Sequence, residues 1–286
     1  MNKFEYLLRS IANFSTNKNC PYCGCEKSVC IDRKFLVTTL NECVNCNLYF
    51  RHPKDTIEFN QKFYQKNYEQ KDNITTDLPD DNNLKKLIES NFKGTAKDYT
   101  DKIQFIRRII DKEQPKVIDF GANWGYTSYQ FKNDNWQVQS YEISQERALF
   151  GSKIGININT SLSQLVEGVD VFFNAHVIEH LPDIKNMFTL AQNLLNKDGL
   201  IVIYCPNGSD SFKKRKPMDF HRLWGQVHPN YLNDKFFKNV FKDVPFLIGS
   251  NSLDLQTINW DKKSQVVLDL SGDELFAIAS IKLQNF

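Results

Sequence analysis

Residues 117–126 read Val-Ile-Asp-Phe-Gly-Ala-Asn-Trp-Gly-Tyr, VIDFGANWGY. The run opens as an apolar, β-branched strand and turns on two glycines, Gly121 and Gly125, before a helical segment YTSYQFKN. Glycines at a strand-to-helix turn let bare backbone N–H groups approach a ligand, and the helix that follows aims its N-terminus at the same spot. The type of turn narrows the ligand. A triphosphate cradle needs G-x4-G-K-[ST], and no lysine follows Gly125. A dinucleotide fingerprint is G-x-G-x-x-G, whereas this turn is G-x3-G with Asn123 at its centre. Asp119, two residues before the turn, repels a pyrophosphate and suits a ligand carrying an ammonium and a sulfonium, which favours S-adenosylmethionine.

Around the turn, apolar runs of strand type alternate with helical ones. Helix YTDKIQFIRRIID precedes strand KVIDF, and strand WQVQSYE follows helix YTSYQFKN. Beyond come helix SQERALFGSK, strand ININ, helix SLSQLVE, strand DVFFNA, helix IKNMFTLAQNLLN, a turn on Lys197-Asp198-Gly199 and strand LIVIYCP. After Asn207 the regularity breaks, returning as helix LNDKFFKNVF and a closing strand FAIASIKL. The alternation predicts an α/β fold, a doubly wound parallel sheet with helices on both faces. Glu142 ends the second strand, 21 residues after Gly121, where an acid can accept both ribose hydroxyls of an adenosine lying across the strand ends.

Six of the seven cysteines fall between residues 20 and 46. Cys20, Cys23, Cys43 and Cys46 form C-x2-C-x19-C-x2-C, two thiolate knuckles that a hairpin can close into a tetrahedral structural zinc site. Cys25 and Cys30 are the competing ligands, His52 reads as a surface side chain and Cys205 as a small buried residue. Residues 1–15 read as an amphipathic helix with Phe4, Leu7, Leu8, Ile11 and Phe14 packed on a core. The expected units are residues 1–52, a zinc ribbon with its N-terminal helix; 53–100, a polar connector or lid with helical patches FNQKFYQKNY and LKKLIESNF; and 101–286, the α/β domain.

The net charge of +2 supplies no general basic field, so nucleic acid is not an expected partner and a small-molecule or glycan substrate fits better. No run reaches the roughly 18 apolar residues of a membrane helix, and Glu5 and Arg9 interrupt what a signal peptide would keep apolar. The expectation is a cytoplasmic chain in a reducing compartment that disfavours disulfides.

The segments CPYCG, CVNC, FYQKNY, VIDFGANWGY, YEIS, HVIEHLPD, CPNGS and WGQVHPNYLND together resemble class I S-adenosylmethionine-dependent methyltransferases, specifically bacterial sugar or polysaccharide-type members with an N-terminal zinc ribbon. The resemblance implies a Rossmann-like sheet of seven strands, with Asp119, Gly121 and Gly125 around the methionine end of the cofactor and Glu142 on its ribose. Ala122, Asn123, Ile143 and Asn174 complete the implied cofactor-binding set. Asn123 departs from the family, standing where its commonest pattern has the middle glycine; a small polar residue there tolerates a positive φ.

Methyl transfer is a one-step displacement at an activated carbon, so positioning and removal of the acceptor's proton are most of what the protein adds. His228 is the leading candidate base and His176, first after the fourth strand, the next. Glu179 and His180 are expected to begin the following helix, in a structural or a functional role. Trp224, His228 and Asn230 offer a stacking plane, a base and an amide. Similar zinc-ribbon sugar C-methyltransferases carry a Tyr and a Glu ahead of the matching His; Val227 replaces that Glu, which puts O-methylation ahead. His176-x2-Glu179-His180 with His228 is also similar to the E-x2-E-H and later His of metal-dependent small-RNA 2′-O-methyltransferases, with His176 in place of the first Glu and a catalytic magnesium as the minor reading. Lys213-Lys214-Arg215-Lys216 reads as a solvated loop or, if functional, a phosphate holder for a nucleotide-linked sugar. The rival functions are an RNA methyltransferase that grips its substrate through the ribbon, and a non-catalytic scaffold.

Overall fold

The computed structural model describes residues 3–55 and 77–280. Eight strands form the main sheet: β4 (Lys116–Phe120), β5 (Gln137–Tyr141), β6 (Ile158–Asn159), β7 (Val169–Ala175), β8 (Leu195–Pro206), β10 (Phe246–Ser250), β11 (Gln265–Val267) and β12 (Glu274–Ser280). Their order is β6-β5-β4-β7-β8-β12-β10-β11. Strands β6 to β8 pair in parallel, and β12 runs antiparallel to both β8 and β10. The core is therefore a Rossmann-like α/β fold with a mixed sheet. Seven strands were expected; the eighth, β11, is a three-residue edge strand parallel to β10. It is too short to stand out from the loop around it.

The strands bury both faces, as a sheet covered by helices on each side requires. Val117, Val171 and Phe173 pack with helices α3 (Thr100–Ile110) and α4 (Tyr126–Asn133), while Ile118, Phe120 and Phe172 pack with α6 (Ile184–Leu194) and α9 (Asp234–Val240). Helix α6 buries Ile184, Met187, Phe188 and Ala191, the i, i+3, i+4, i+7 stripe, and its N-cap Asp183 accepts from the backbone N–H of Asn186. The reversal of order at β4, with β5 on one side and β7 on the other, opens a crevice at the carboxyl edge.

Several expectations shift. SLSQLVE forms only a 3-10 turn at Leu162–Gln164. Glu179 and His180 lie on a separate 3-10 turn, Ile178–His180, because the next helix starts after the Asp183 cap. The turn at Lys197–Gly199 is a bulge within β8, where the pairing with β7 jumps from Val169–Leu195 to Val171–Leu200. The run 213–216 is not a loop: it lies on and just after helix α7 (Asp210–Arg215), with Lys213 bonded to the Ile31 carbonyl and Lys216 to Asp273. The patch LKKLIESNF falls on helix α2 (Asp81–Glu89) and the residues after it; FNQKFYQKNY lies outside the described residues. Helix α1 (Lys3–Ala12) buries Tyr6 and Ser10; of the expected core stripe, Leu7 is half-buried, Leu8, Ile11 and, just past the helix, Phe14 are 51%, 52% and 54% exposed, and the Phe4 side chain lies outside the described residues.

The cysteine segment folds as a three-stranded meander, β1 (Ser28–Lys34), β2 (Thr38–Cys43) and β3 (Tyr49–His52), extended by β9 (Asn230–Tyr231) from the loop region after β8. The two knuckles close alike: Gly24 N donates to Cys20 O and Asn47 N to Cys43 O, both at 3.0 Å. Gly24 and Asn47 occupy the same place in each turn and both take a left-handed φ, +72° and +61°. Tyr22 of the first knuckle packs edge-on against Phe188 and Phe236. The carbonyls of Asn45 and Asn47 in the second accept from Asn239 and Asn233. This segment is thus bonded to the α/β core rather than tethered to it.

Arg51 on β3 is the central link. Its buried guanidinium donates to the carbonyls of Pro53, Gly225 and Gln226 and pairs with Asp55. His52, expected on the surface, is buried against the Thr16 carbonyl at 3.0 Å. Removing one partner of a buried, hydrogen-bonded ion pair leaves the rest unsatisfied. Arg51→Ala is therefore expected to lower unfolding free energy by about 3–5 kcal/mol in urea titrations; a change within 0.5 kcal/mol of zero, roughly the noise level of surface substitutions, would contradict this role.

Candidate active site

The turn after β4 holds three left-handed residues, Gly121 at φ +83°, Asn123 at +55° and Gly125 at +89°. A Cβ on Gly121 would lie 2.2 Å from Val177 Cγ2, so the missing side chain is what lets the loop after β7 close on the turn. Asn123 takes its positive φ with local support: its Oδ1 accepts from Trp124 N at 2.9 Å and from Arg147 of helix α5 (Gln145–Gly151).

The N–H groups expected to face a ligand are instead occupied within the protein. Gly121 N and Ala122 N both donate to Tyr141 O at 2.8 Å, Gly125 N donates to Ala122 O at 2.8 Å, and Asn123 N donates to Glu142 Oε2 at 3.0 Å. Glu142 Oε1 accepts from Ser144 N at 2.9 Å, so this acid organises the turn between β4 and β5. Asp119 is buried and accepts from Ser128 Oγ at 2.6 Å, which in turn accepts from Ser140 Oγ. Burial raises the Asp119 carboxyl to about 7, against the Ser128 hydrogen bond and with help from the nearby Glu142 charge. Ala122 is buried and Ile143 is exposed at the end of β5. Asn174 turns inward, its Oδ1 accepting from Ile178 N and its amide lying 3.4 Å from Met187 sulfur, so it shapes the loop after β7.

His176 follows β7 with φ +55°. Its Nε2 lies 2.8 Å from Glu274 Oε1 and its Nδ1 3.4 Å from Glu179 Oε1. Burial opposes the imidazolium, but the two carboxylates outweigh it and raise His176 to about 9. Glu274, at the start of β12, is also paired with Lys102 at 2.6 Å. His228 is held differently: its Nδ1 lies 2.6 Å from the Leu223 carbonyl, and burial, with His180 nearby, lowers it to about 4. The His180 and His228 rings are 4.8 Å apart.

The expected trio of Trp224, His228 and Asn230 is not assembled as an open pocket. Trp224 is 2% exposed, donates Nε1–H to Asp32 at 2.7 Å and is covered by Lys34, 4.4 Å from its ring. The Asn230 amide donates to the Leu181 carbonyl at 2.7 Å. Both hold the loop in place. Glu274, Lys102, Arg147 and Arg51 escaped sequence reasoning, since each has a partner 24 or more residues away that no local spacing records.

In the cysteine segment, Cys20 and Cys46 sulfurs are 3.5 Å apart, as are those of Cys23 and Cys43, and all four lie within 4.8 Å of one another. Tetrahedral thiolate ligation at 2.3 Å requires sulfurs about 3.8 Å apart. The four residues fit a metal ion, and Cys25 and Cys30 lie outside the cluster.

The sequence profile of a methyltransferase domain family matches residues 92–247, just over half of the chain, spanning the glycine turn, the histidine loop and β9. The chain belongs to this methyltransferase family. Among solved structures, the methyltransferase is similar to an S-adenosylmethionine-dependent methyltransferase from Archaeoglobus fulgidus, at 17% identity and TM-score 0.47, over 69% of this chain and 99% of that one. A second is the geranyl diphosphate C-methyltransferase from Streptomyces coelicolor A3(2), at 13% identity and TM-score 0.46, over 64% of this chain and 78% of that one. The plantazolicin methyltransferase BpumL matches at 13% identity and TM-score 0.49, over 71% and 92%. No curated protein matches the methyltransferase. Among its described residues, no helix is long and apolar enough to cross a membrane.

Gly121→Ala meets both a forbidden φ and the Val177 methyl, with a combined cost of about 1–3 kcal/mol by analogy with overpacked cores. A fall in thermal midpoint of several degrees is the expected reading; an unchanged midpoint would show that the loop after β7 yields freely.

Proposed function

We propose that this methyltransferase O-methylates a sugar, nucleotide-sugar or surface-glycan acceptor in the cytoplasm, with the cofactor on the glycine turn and a structural zinc ion on Cys20, Cys23, Cys43 and Cys46. The observation that carries the cofactor site is the saturated turn at the order reversal of the sheet: with its N–H groups bonded internally and Asp119 and Glu142 beneath it, the turn has little for a phosphate and an acidic seat for a sulfonium. Asp119, Gly121, Ala122, Asn123, Gly125, Glu142 and Ile143 form or border this seat, and Asn174 supports it from below.

Turnover requires that an acceptor hydroxyl lose its proton while its oxygen attacks the methyl carbon, the carbon–sulfur bond breaks and its electron pair passes to sulfur. His228 is assigned the centre at which that proton leaves. Both ring nitrogens of His176 face carboxylates, which suits a role in holding the loop and orienting the acceptor. The sugar class follows the resemblance of the ribbon and WGQVHPNYLND segments, and Val227 favours oxygen over carbon as the acceptor atom.

Two measurements test this reading. A strain lacking the protein should yield surface glycans one methyl group lighter than the parent's; identical glycan masses would remove the proposed acceptor class. The Asp119 carboxyl, raised to about 7 by burial, must ionise to neutralise a bound sulfonium, so cofactor affinity is expected to rise with pH through that value. The stability linkage has the opposite sign: a native pKa raised above the unfolded one favours folding at low pH and loses that contribution as pH climbs toward 7. Calorimetry between pH 5.5 and 8.5, roughly bracketing that titration, should show the affinity change in the native protein and not in Asp119→Asn. A flat profile in the native protein would remove Asp119 from the cofactor seat.

A further inference from the structure

A cleft of about 290 Å³ opens at the carboxyl edge of the sheet, and none of residues 119–125 lines it. The start of helix α3 supplies one wall through Asp98, Asp101 and Lys102, and the loop after β10 supplies another through Leu253 and Asp254. Between them lie Tyr204 of β8 and Phe276 and Glu274 of β12. Arg108 ties the walls together, donating to the Leu255 carbonyl at 2.7 Å. The volume is close to the low end of small-molecule sites, roughly 300–1,000 Å³, which suits one sugar ring rather than a glycan chain.

Four of the lining residues are carboxylates, Asp98, Asp101, Asp254 and Glu274, and one is an ammonium, Lys102. That ammonium is already engaged: its Nζ pairs with Glu274 at 2.6 Å and lies 4.5 Å and 4.7 Å from the Tyr204 and Tyr99 rings. Burial opposes the charge on Asp98 and Glu274, but bonds from Gly94 and Thr100 hold the first below the ordinary carboxylate range, and Lys102 with His176 hold the second there, so both stay ionised. Tyr204 is an independent sign of a ligand. It is 1% exposed, and its hydroxyl has no hydrogen-bond partner among the described residues. A buried hydroxyl in this condition costs free energy until a bound group meets it. A metal ion is a poor occupant, because these carboxylates form no convergent donor cluster among the described residues and the aromatic and leucine side chains offer nothing to a hydrated cation. An organic ammonium uses the acids, the aromatic faces and the phenol oxygen together.

We propose that this cleft is the acceptor subsite and that it recognises a protonated amine, so that the acceptor is an amino sugar methylated on a hydroxyl. The inference rests on the sugar-hydroxyl reading above for the ring and on the cleft for the amine. Its place in the fold agrees. Glu274 Oε1 meets Lys102 on the cleft side and His176 on the other, and Val177, the next residue, closes on Gly121 of the glycine turn. Two adjacent residues therefore join the cleft to the turn assigned to the cofactor. The ammonium is a handle and not the attacking atom, since a protonated amine has no lone pair to give the methyl carbon.

The test is calorimetric titration of the full-length protein, saturated with S-adenosylhomocysteine, with glucosamine and with N-acetylglucosamine, which share a ring while the first alone carries an ammonium. Glucosamine is expected to bind about tenfold more tightly or better. Its advantage should shrink as salt rises, because Asp101 and Asp254 are exposed. Tyr204→Phe keeps the ring and removes the hydroxyl; it is expected to weaken glucosamine binding by about tenfold, with the thermal midpoint of the ligand-free protein level or raised. The double variant Asp101→Asn, Asp254→Asn is expected to lose most of the salt dependence. Equal affinity for the two probes, no saturable glucosamine binding, or native-like glucosamine binding by both folded variants overturns the amine subsite. The two readings fail separately. Equal binding with methyl transfer to both probes keeps the sugar acceptor and removes the amine subsite. Salt-dependent glucosamine binding that both variants weaken, with no methyl group reaching any sugar hydroxyl, keeps the amine subsite and removes the sugar reading.

Discussion

The pairing of β3 with β9 joins the cysteine segment to the loop that carries His228. Tyr49 and Phe50 face Tyr231 and Asn230 in antiparallel register, and Arg51 N donates to the Pro229 carbonyl one residue after His228. The Arg51 guanidinium then seals the carbonyls of Gly225 and Gln226, and Lys34 reaches those of Arg222 and Trp224. From residue 222 to 231 the chain has little regular structure of its own, only the end of helix α8 (Pro217–Leu223) and the two residues of β9. It is shaped by the hairpin above it. Asp32 adds the third anchor, accepting from both His221 and Trp224. The cysteine cluster therefore acts at a distance: whatever fixes the knuckles fixes β2 and β3, and these fix the histidine loop.

That dependence explains what local patterns revealed. The α/β core was legible because each element is encoded within itself: DVFFNA is apolar on both faces, and the 184–194 helix shows its buried stripe and Asp183 cap in consecutive letters. The knuckles were legible for the same reason, since C-x2-C places two sulfurs on one turn wherever the chain goes next. The edge strand β11 and the outward face of α1 were not. A three-residue strand has no periodicity, and an amphipathic helix does not record which of its faces finds a partner. In α1 the polar and aromatic side won, because Tyr6 meets Phe35 and the Arg51 guanidinium.

The site was half legible. Gly121, Asn123, Gly125 and Glu142 announce a strand-to-helix turn by identity and spacing, and the structure brings them together. Their hydrogen bonding was not readable, because the carbonyl that takes the first two N–H groups belongs to Tyr141 on the neighbouring strand. Glycine at 121 serves close approach by Val177 more than exposure of its own N–H. Trp224 reads in sequence as an aromatic plane for a substrate, yet its indole N–H finds Asp32, 192 residues earlier, and the ring becomes a buttress.

Electrostatics along the carboxyl edge follow one pattern. Four carboxylates, Asp119, Glu142, Glu179 and Glu274, are buried or nearly so across β4, β5, the turn after β7 and β12. Each is held differently: Glu274 by Lys102 and His176, Glu142 by backbone N–H groups, Asp119 by a serine pair, and Glu179 only by imidazoles at ion-pair distance. Cationic partners pull the first of these well below the ordinary carboxylate range, to about 2, despite its burial, while Asp119, with hydroxyls alone, rises to about 7. What holds each carboxylate therefore differs between the two ends of this edge. At the turn after β7 the His176 imidazolium, raised to about 9, lies between Glu179 and Glu274 and offsets both, whereas the Asp119 carboxyl under the glycine turn is met by the Ser128 hydroxyl rather than by a cation.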